Sequence, residues 1–451
     1  MQNQHLFNRA LGVSPPNVLK HATTSRLIYA LQPTNVTFNQ EWPSKDNPNE
    51  QASAHPSGVN ALTIDKFEGR YLLSAGADSS IAIWDLENFD SGEDGGLIYR
   101  PLAAINKTSE EHKLGITQVQ YYPFDSLAFL TSSYDHTVKI YSSETLRPSA
   151  SFDLDSVVYN IALSPIADHL LVACATQSPA VRLIDLRTGA STHSLAGHSG
   201  AILSTAWSPV REHILASGAT DGSVRFWDIR RSVGELGSLN LEDSIGVMAR
   251  SSSSRTVSNG KAHRGPVNGI LWTEDGRHLV TCGHDQRIRV WKTDTGANTL
   301  ANFGPMVRNS GLAPVIPVLA PVQMLPLEKD VMFYPNEHEI LAYEMFEGKL
   351  FRRLRRLQQR RLGEVSTRKG QRNAKDRITA LSWRPHNVEL YSAHSDGNIV
   401  GWKPRTEEDA ELDDEEELEL ENAESSKKRK RDILEDIYQD LTRKKITFGG
   451  M

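Results

Sequence analysis

Short bursts of alternating apolar and polar residues recur along most of the chain, such as Val224-Arg225-Phe226-Trp227 and Ile288-Arg289-Val290-Trp291. A period of two, enrichment in β-branched residues and turns such as Asp-Gly or Asp-Ser ahead of the bursts predict short antiparallel hairpins. A second regularity is laid over the first. His198, Ser217, Asp221 and Trp227 have the same spacing as His55, Ser74, Asp78 and Trp84. His112, Thr131, Asp135 and Tyr141 repeat it, and His263, Thr281, Asp285 and Trp291 do so with one residue fewer between His and Asp. Ser392, Asp396 and Trp402 keep the pattern without the His. In all five copies the hydroxyl lies four residues before the Asp and the aromatic six after it.

Units of about 40 residues and four strands are the mark of a propeller blade of the WD-repeat family. Two weaker units, Val157 to Gly189 and Val331 to Phe351, fill the gaps. The expectation is therefore an all-β, seven-bladed WD-repeat propeller over residues 25–404, with insertions at 236–261 and 351–377. The segment Ser25 to Leu31 is expected to supply the strand that closes the ring, since an open ring leaves two sheet edges unpaired. Imidazole, carboxylate, hydroxyl and aromatic groups repeated in this way suit a hydrogen-bonded network that ties a loop to the inner strands. Repetition around a ring speaks against a catalytic triad.

Residues 1–24 lie outside the repeats. Leu6, Phe7, Ala10 and Leu11 fall at helical spacing, Gly12 and two prolines interrupt, and Val18, Leu19 and Ala22 begin a second helical pattern. A helix-loop-helix with an unburied apolar side is expected there, either packed on the ring or docked in a partner's groove. The 351–377 insertion places Leu350, Leu354 and Leu357 on one face of a predicted helix. Arg352, Arg353, Arg355, Arg356, Arg360 and Arg361 crowd its other faces. A solvated helix and a contact with nucleic acid or an acidic partner are both open readings of it.

Charge sharpens this division. The net charge of −6 conceals a block from Lys349 to Arg377 with 12 basic and 2 acidic residues. Residues 405–451 form an acidic and then basic tail, expected to be disordered. Within it, Lys427, Lys428, Arg429, Lys430 and Arg431 read as a nuclear import signal, followed by a short apolar pattern at Ile433, Leu434, Ile437 and Leu441. Only 2 cysteines occur in 451 residues, so a disulfide framework is excluded and a reducing compartment is expected. The longest apolar stretch, Gly311 to Leu327, holds four prolines and is too short for a bilayer span. The first residues lack the basic start and apolar block of a secretory signal. Phosphate-cradling Gly loops, metal-spaced Cys or His pairs and a nucleophile elbow are absent from the sequence. We expect a nuclear interaction protein, not an enzyme, with no cofactor or metal.

Trp227-Asp228-Ile229-Arg230 and Ile184-Asp185-Leu186-Arg187 are similar to the box of WD-repeat receptors of cullin-4 ubiquitin ligases. Longer stretches carry a narrower likeness: TTSRLIYAL, EGRYLLSAGADSSIAIWDLEN, TSSYDHTVKIY, GHSGAILSTAWSPVREHILASGATDGSVRFWDIRR, VNGILWTEDGRHLVTCGHDQRIRVWKTDTGANTLANFG and ELYSAHSDGNIVGWKP. On these the chain resembles the Cockayne syndrome A-type family, the transcription-coupled repair receptors of that ligase class. The resemblance implies a substrate-recognition subunit of a nuclear cullin-4–RING ligase acting in nucleotide excision repair. Leu6, Phe7, Ala10, Leu11, Val18 and Leu19, aided by Arg187 and Arg230, would bind the ligase adaptor, the large damaged-DNA-binding protein. Other loops would hold the Cockayne syndrome B-type remodeller at stalled RNA polymerase II. The insertions, the basic block and the tail depart from the likeness. A chromatin scaffold that reads histone tails and a direct damaged-DNA binder remain as alternatives.

Overall fold

The computed structural model describes residues 7–13, 16–39, 53–91, 96–105, 111–166, 169–189, 191–231, 234–241, 261–326, 329–356 and 377–405. The chain divides into a compact unit, Met1–Lys403, and a second unit, Pro404–Met451. Nearly all of the second lies outside the described residues, as do the 242–260 stretch, the nuclear-signal residues Lys427 to Arg431, the apolar pattern from Ile433 to Leu441, and Leu6, Leu357, Arg360 and Arg361.

Antiparallel hairpins form where the alternation predicts them, because one face of each strand packs against a neighbouring sheet. Strands Val59–Ile64, Tyr71–Gly76, Ile81–Asp85 and Pro101–Ile105 make one four-stranded sheet, ordered as in the chain. The same arrangement recurs in Ile116–Tyr121 to Pro148–Asp153, Val158–Leu163 to Ser191–Ala196, and Ile202–Trp207 to Glu235–Ser238. Val318–Leu319 to Lys349–Leu354 follows the same plan. The sheet of Val267–Trp272, His278–Gly283 and Arg287–Lys292 has three strands. Packing between sheets makes one apolar layer after another, and Trp84, Trp227, Trp291 and Trp402 are all at most 1% exposed.

Three expectations are corrected by this architecture. Among the described residues the all-β WD propeller has eight sheets where seven blades were expected. The additional sheet joins Val36–Phe38 in parallel to Leu97–Tyr99, which pairs with Asp90–Ser91. A pairing between segments some 60 residues apart leaves no mark in local periodicity. The ring is closed by Leu31–Pro33, hydrogen-bonded beside Ile399–Pro404, and not by Ser25 to Leu31. Pro16–Tyr29 is a helix instead, since Pro16 suits a first turn and Ile28, 1% exposed, anchors its last turn in the core. Finally, Lys349–Leu354 is an outer strand paired with Ile340–Glu344, so the helix read over Leu350 and Leu354 does not form there. Cross-strand pairing and burial of Leu354 (2% exposed) override the helical spacing.

Inner strands are fastened sideways by polar side chains. Asn60 Nδ2 donates to Ile116 O at 2.7 Å, and Thr117 Oγ1 to Val158 O at 2.8 Å. Thr205 N donates to Asn160 Oδ1 at 3.0 Å, and Thr379 Oγ1 reaches Val59 O across the closure. Buried polar groups that are satisfied in this way fix the order of neighbouring sheets without costly orphan donors.

Candidate functional site

Each repeat network is built on the turn between the second and third strands and the loop entering the first. In the sheet 202–238, Trp227 Nε1 donates to Ser217 Oγ at 2.7 Å, and Ser217 Oγ meets His198 Nε2 at 2.7 Å. His198 Nδ1 lies 2.8 Å from Ser223 Oγ, which donates to Asp221 Oδ1 at 2.6 Å. The sheet 59–105 repeats this through Trp84, Ser74, His55, Ser80 and Asp78. In the other two complete copies the His meets the Asp itself, His112 with Asp135 at 3.0 Å and His263 with Asp285 at 2.9 Å. Thr131 and Thr281 take the His Nε2 side at 2.7 Å in both. Trp291 Nε1 donates to Thr281 at 2.9 Å, but the Tyr141 hydroxyl, buried against His112, has no hydrogen-bond partner among the described residues.

Sequence spacing did not single out Ser80, Ser223 and Thr137, yet each follows its Asp by two residues, a signal visible along the chain. The copy without a loop His is completed differently. Trp402 Nε1 donates to Ser392 Oγ at 2.9 Å, His394 Nε2 lies 3.0 Å from the same oxygen, and Arg356 donates to Asp396 at 2.5 Å.

Burial pushes His55 down to about 4, against the pull of Asp78 in the other direction. Burial likewise lowers His263, while Asp285 works to raise it. For Asp135, Asp221 and Asp285 burial acts upward, but His112 and His263 at the first and last, and the nearby His198 ring with the Ser223 hydroxyl at Asp221, hold the carboxyls well below their usual range. The hydroxyls of Ser74, Thr131, Ser217 and Thr281 are fully buried and committed to these networks. Such an arrangement fixes loops; it offers no exposed nucleophile.

The opposite ends of the sheets carry different chemistry. First-to-second and third-to-fourth strand connections all leave on one face of the ring. Exposed there are Phe67, Phe124, Ile166, Val210 and Val322, on five of the first-to-second connections. Arg187 and Arg230, both exposed, sit in third-to-fourth turns on this face. Arg230 forms a two-pronged bond to Asp228 at 3.0 Å on each prong, which braces its guanidinium while leaving it 65% exposed. Arg187 donates its backbone N–H to Asp185 Oδ1 at 2.9 Å.

The N-terminal helix is seated on the same face. His21 Nδ1 and Thr24 Oγ1 bond the carbonyls of Leu325 and Met324 in a first-to-second connection, and Tyr29 donates to Glu344 at 2.8 Å. Ahead of it, residues 7–10 form a helical turn closed at Gly12, whose φ of 68° suits glycine. Phe7, Leu11, Val13 and Val18 are exposed, as is Ala10, and Leu19 is half-buried. The structure thus brings the later turns of the N-terminal helix and both Asp-x-Arg turns to one face.

The arginines of the basic block described at 352–356 have partners within the chain. Arg353 and Arg355 share Glu339, at 2.7 and 2.9 Å, Arg352 bonds Tyr29 O, and Arg356 holds Asp396. Among the described residues no three His, Cys, Asp or Glu side chains group as a metal site.

Comparison with known proteins adds to this geometry. The WD domain, G-beta repeat matches residues 48–85, 105–142, 189–228 and 254–292. The WD repeat-containing protein ATCSA-1 of Arabidopsis thaliana is 30% identical over 435 residues, spanning 82% of this chain and 90% of the relative. Radiation-sensitive protein 28 of Saccharomyces cerevisiae is 30% identical over 200 residues, 41% of this chain and 39% of its own. The ribosome biogenesis protein ytm1 of Neurospora crassa is 26% identical over 280 residues, 54% of this chain and 55% of its own.

Proposed function

Because the chain belongs to the family of WD-repeat proteins that includes ATCSA-1, we propose that it is the substrate-recognition subunit of a nuclear cullin-4–RING ubiquitin ligase in transcription-coupled excision repair. The observation that carries the reading is the shared face. Phe7, Leu11, Val13 and Val18 stand exposed ahead of and in the first turn of the helix, and the ring face on which that helix is seated presents Phe124, Ile166, Val210, Arg187 and Arg230. Exposed apolar residues gathered in one short segment suit a protein-binding surface. Short apolar helical segments that seat in a partner's groove, with braced arginines nearby, suit a protein adaptor of the ligase.

The chain has no catalysis of its own in this proposal. It accelerates ubiquitin transfer by holding the target near the cullin–RING arm. The opposite face, whose loops the repeat networks hold rigid, receives repair partners such as a Cockayne syndrome B-type remodeller at stalled polymerase. The name of the yeast relative, Radiation-sensitive protein 28, is in keeping with a repair role. Direct DNA binding draws less support, because Arg353, Arg355 and Arg356 face carboxylates within the chain. Histone-tail reading has no observation in its favour that the ligase reading lacks.

Capture of the cullin-4 adaptor by the full chain tests the proposal. Removing residues 1–24 would cut the helix that carries His21 and Thr24, so point changes are cleaner. Phe7→Asp with Leu11→Asp abolishes capture while the melting temperature stays unchanged. Failure of the intact, folded chain to capture the adaptor refutes the ligase reading.

A further inference from the structure

The face that bears the repeat networks is uneven in charge. Above the last three sheets it carries Arg264, Arg287 and Arg308, all exposed, and Arg377, half-buried. Among the described residues none of the four takes part in an ion pair. The carboxylates around them are already taken. Asp285 is held by Arg289 at 2.8 Å, Glu339 by Arg353 and Arg355, and Asp396 by Arg356, while Glu337 accepts from the Ser310 hydroxyl at 2.7 Å.

Contacts make these arginines one patch. His284, packed against the Gly265 that follows Arg264, meets the Gly311 carbonyl through Nε2 at 2.7 Å. Gly311 lies against the Arg377 guanidinium, with which a Cβ at this position would collide. Arg308 precedes Gly311 on the same connection, and Arg287 begins the strand that leaves the His284 turn. The backbone beneath them is pinned. Arg308 donates its N–H to the buried Asn336 Oδ1 at 2.9 Å, and its carbonyl accepts from the buried Tyr334 hydroxyl at 3.0 Å. Arg264 N–H donates to Asp285 Oδ2 at 3.3 Å, and Arg377 N–H to Ser395 Oγ at 3.0 Å. Charges carried on fixed backbone leave less to order when a ligand binds. Residues 357–376, outside the described set, leave this face after Arg356 and rejoin it at Arg377, and their sequence adds 6 basic and 2 acidic residues to the field.

We propose that Arg264, Arg287, Arg308 and Arg377 bind the phosphodiester backbone of duplex nucleic acid without reading its sequence. The planar fork of arginine suits phosphate, to which it can give two bonds at once. A peptide partner would draw its affinity from apolar or aromatic anchors. Among the described residues of the patch no Phe, Tyr or Trp is exposed, and Leu312 is the one large apolar side chain that is. The same lack of aromatic rings disfavours stacking on single strands. These arginines differ from Arg353, Arg355 and Arg356, whose charges are met within the chain. The inference does not rest on the ligase reading, because the patch lies on the face opposite the seat of the N-terminal helix.

The test is fluorescence anisotropy of a labelled random-sequence DNA duplex of about 20 base pairs, titrated with the full chain at several salt concentrations. The expected result is an affinity that falls steeply with salt, with a log–log slope of about −3.6 or steeper, as four neutralised phosphates require. Arg264→Gln with Arg308→Gln flattens the slope by about 2 and weakens binding at least about tenfold at about 0.1 M salt, with the melting temperature unchanged. Arg211→Gln with Arg277→Gln, at exposed positions on the opposite face, leaves slope and affinity as they were. Absence of binding at about 50 mM salt overturns the proposal, as does an unaltered slope in the Arg264, Arg308 variant. Displacement of the duplex by poly-glutamate at lower charge concentration overturns it too, and assigns the patch to an acidic protein instead.

Discussion

Acidification from pH 7.5 to pH 5 is expected to weaken the fold through His55 in particular. Its ring is 1% exposed, bonded to Ser74 on one nitrogen and Ser80 on the other, and burial holds its titration at about 4 instead of 6.5. In the unfolded chain the same ring takes a proton near pH 6.5. Stability from this group is therefore complete above pH 6.5, falls as the pH drops toward 4, and is lost below that. The full depression corresponds to about 3 kcal/mol, of which about 2 kcal/mol is gone at pH 5. Asp135, Asp221 and Asp285 are held below their usual range and lose their contribution only at lower pH. Urea unfolding followed by tryptophan fluorescence, at both pH values, gives the difference directly. His55→Gln cannot titrate, so its loss between pH 7.5 and 5 is about 2 kcal/mol smaller than that of the unaltered chain. An identical loss in both proteins would refute the argument that this ring is buried neutral.

Two further outcomes follow from the networks. Tyr141→Phe removes a buried hydroxyl that has no hydrogen-bond partner among the described residues, whereas Trp227→Phe removes a donor from Ser217 and leaves a void. Denaturant midpoints should show the first change neutral or stabilising, and the second costing about 2–3 kcal/mol. Arg356→Ala leaves the half-buried Asp396 without its cation and should cost about 1–3 kcal/mol. Asp396→Asn in the same chain should recover part of that loss, and no recovery would count against the ion pair.

Much of the architecture is legible along the chain because the repeats obey local rules. Spacing of Ser or Thr, Asp and aromatic residues locates a second strand, its turn and the third strand, since a tight turn allows few other placements. The network partners His55, His112, His198 and His263 follow from the same spacing. What the sequence could not decide depends on pairing across distance. Val36–Phe38 finds its parallel partner only when the ring has assembled. Arg356 and His394 complete the Asp396 copy from positions that no repeat register indicates. Lys349–Leu354 has helical spacing and becomes a strand because the open edge of Ile340–Glu344 needs a neighbour. Likewise, Arg187 and Arg230 are separate motifs in the text. Only the common direction of strand connections around the ring puts them on one face, because strand polarity is a property of the closed sheet array and not of any one segment.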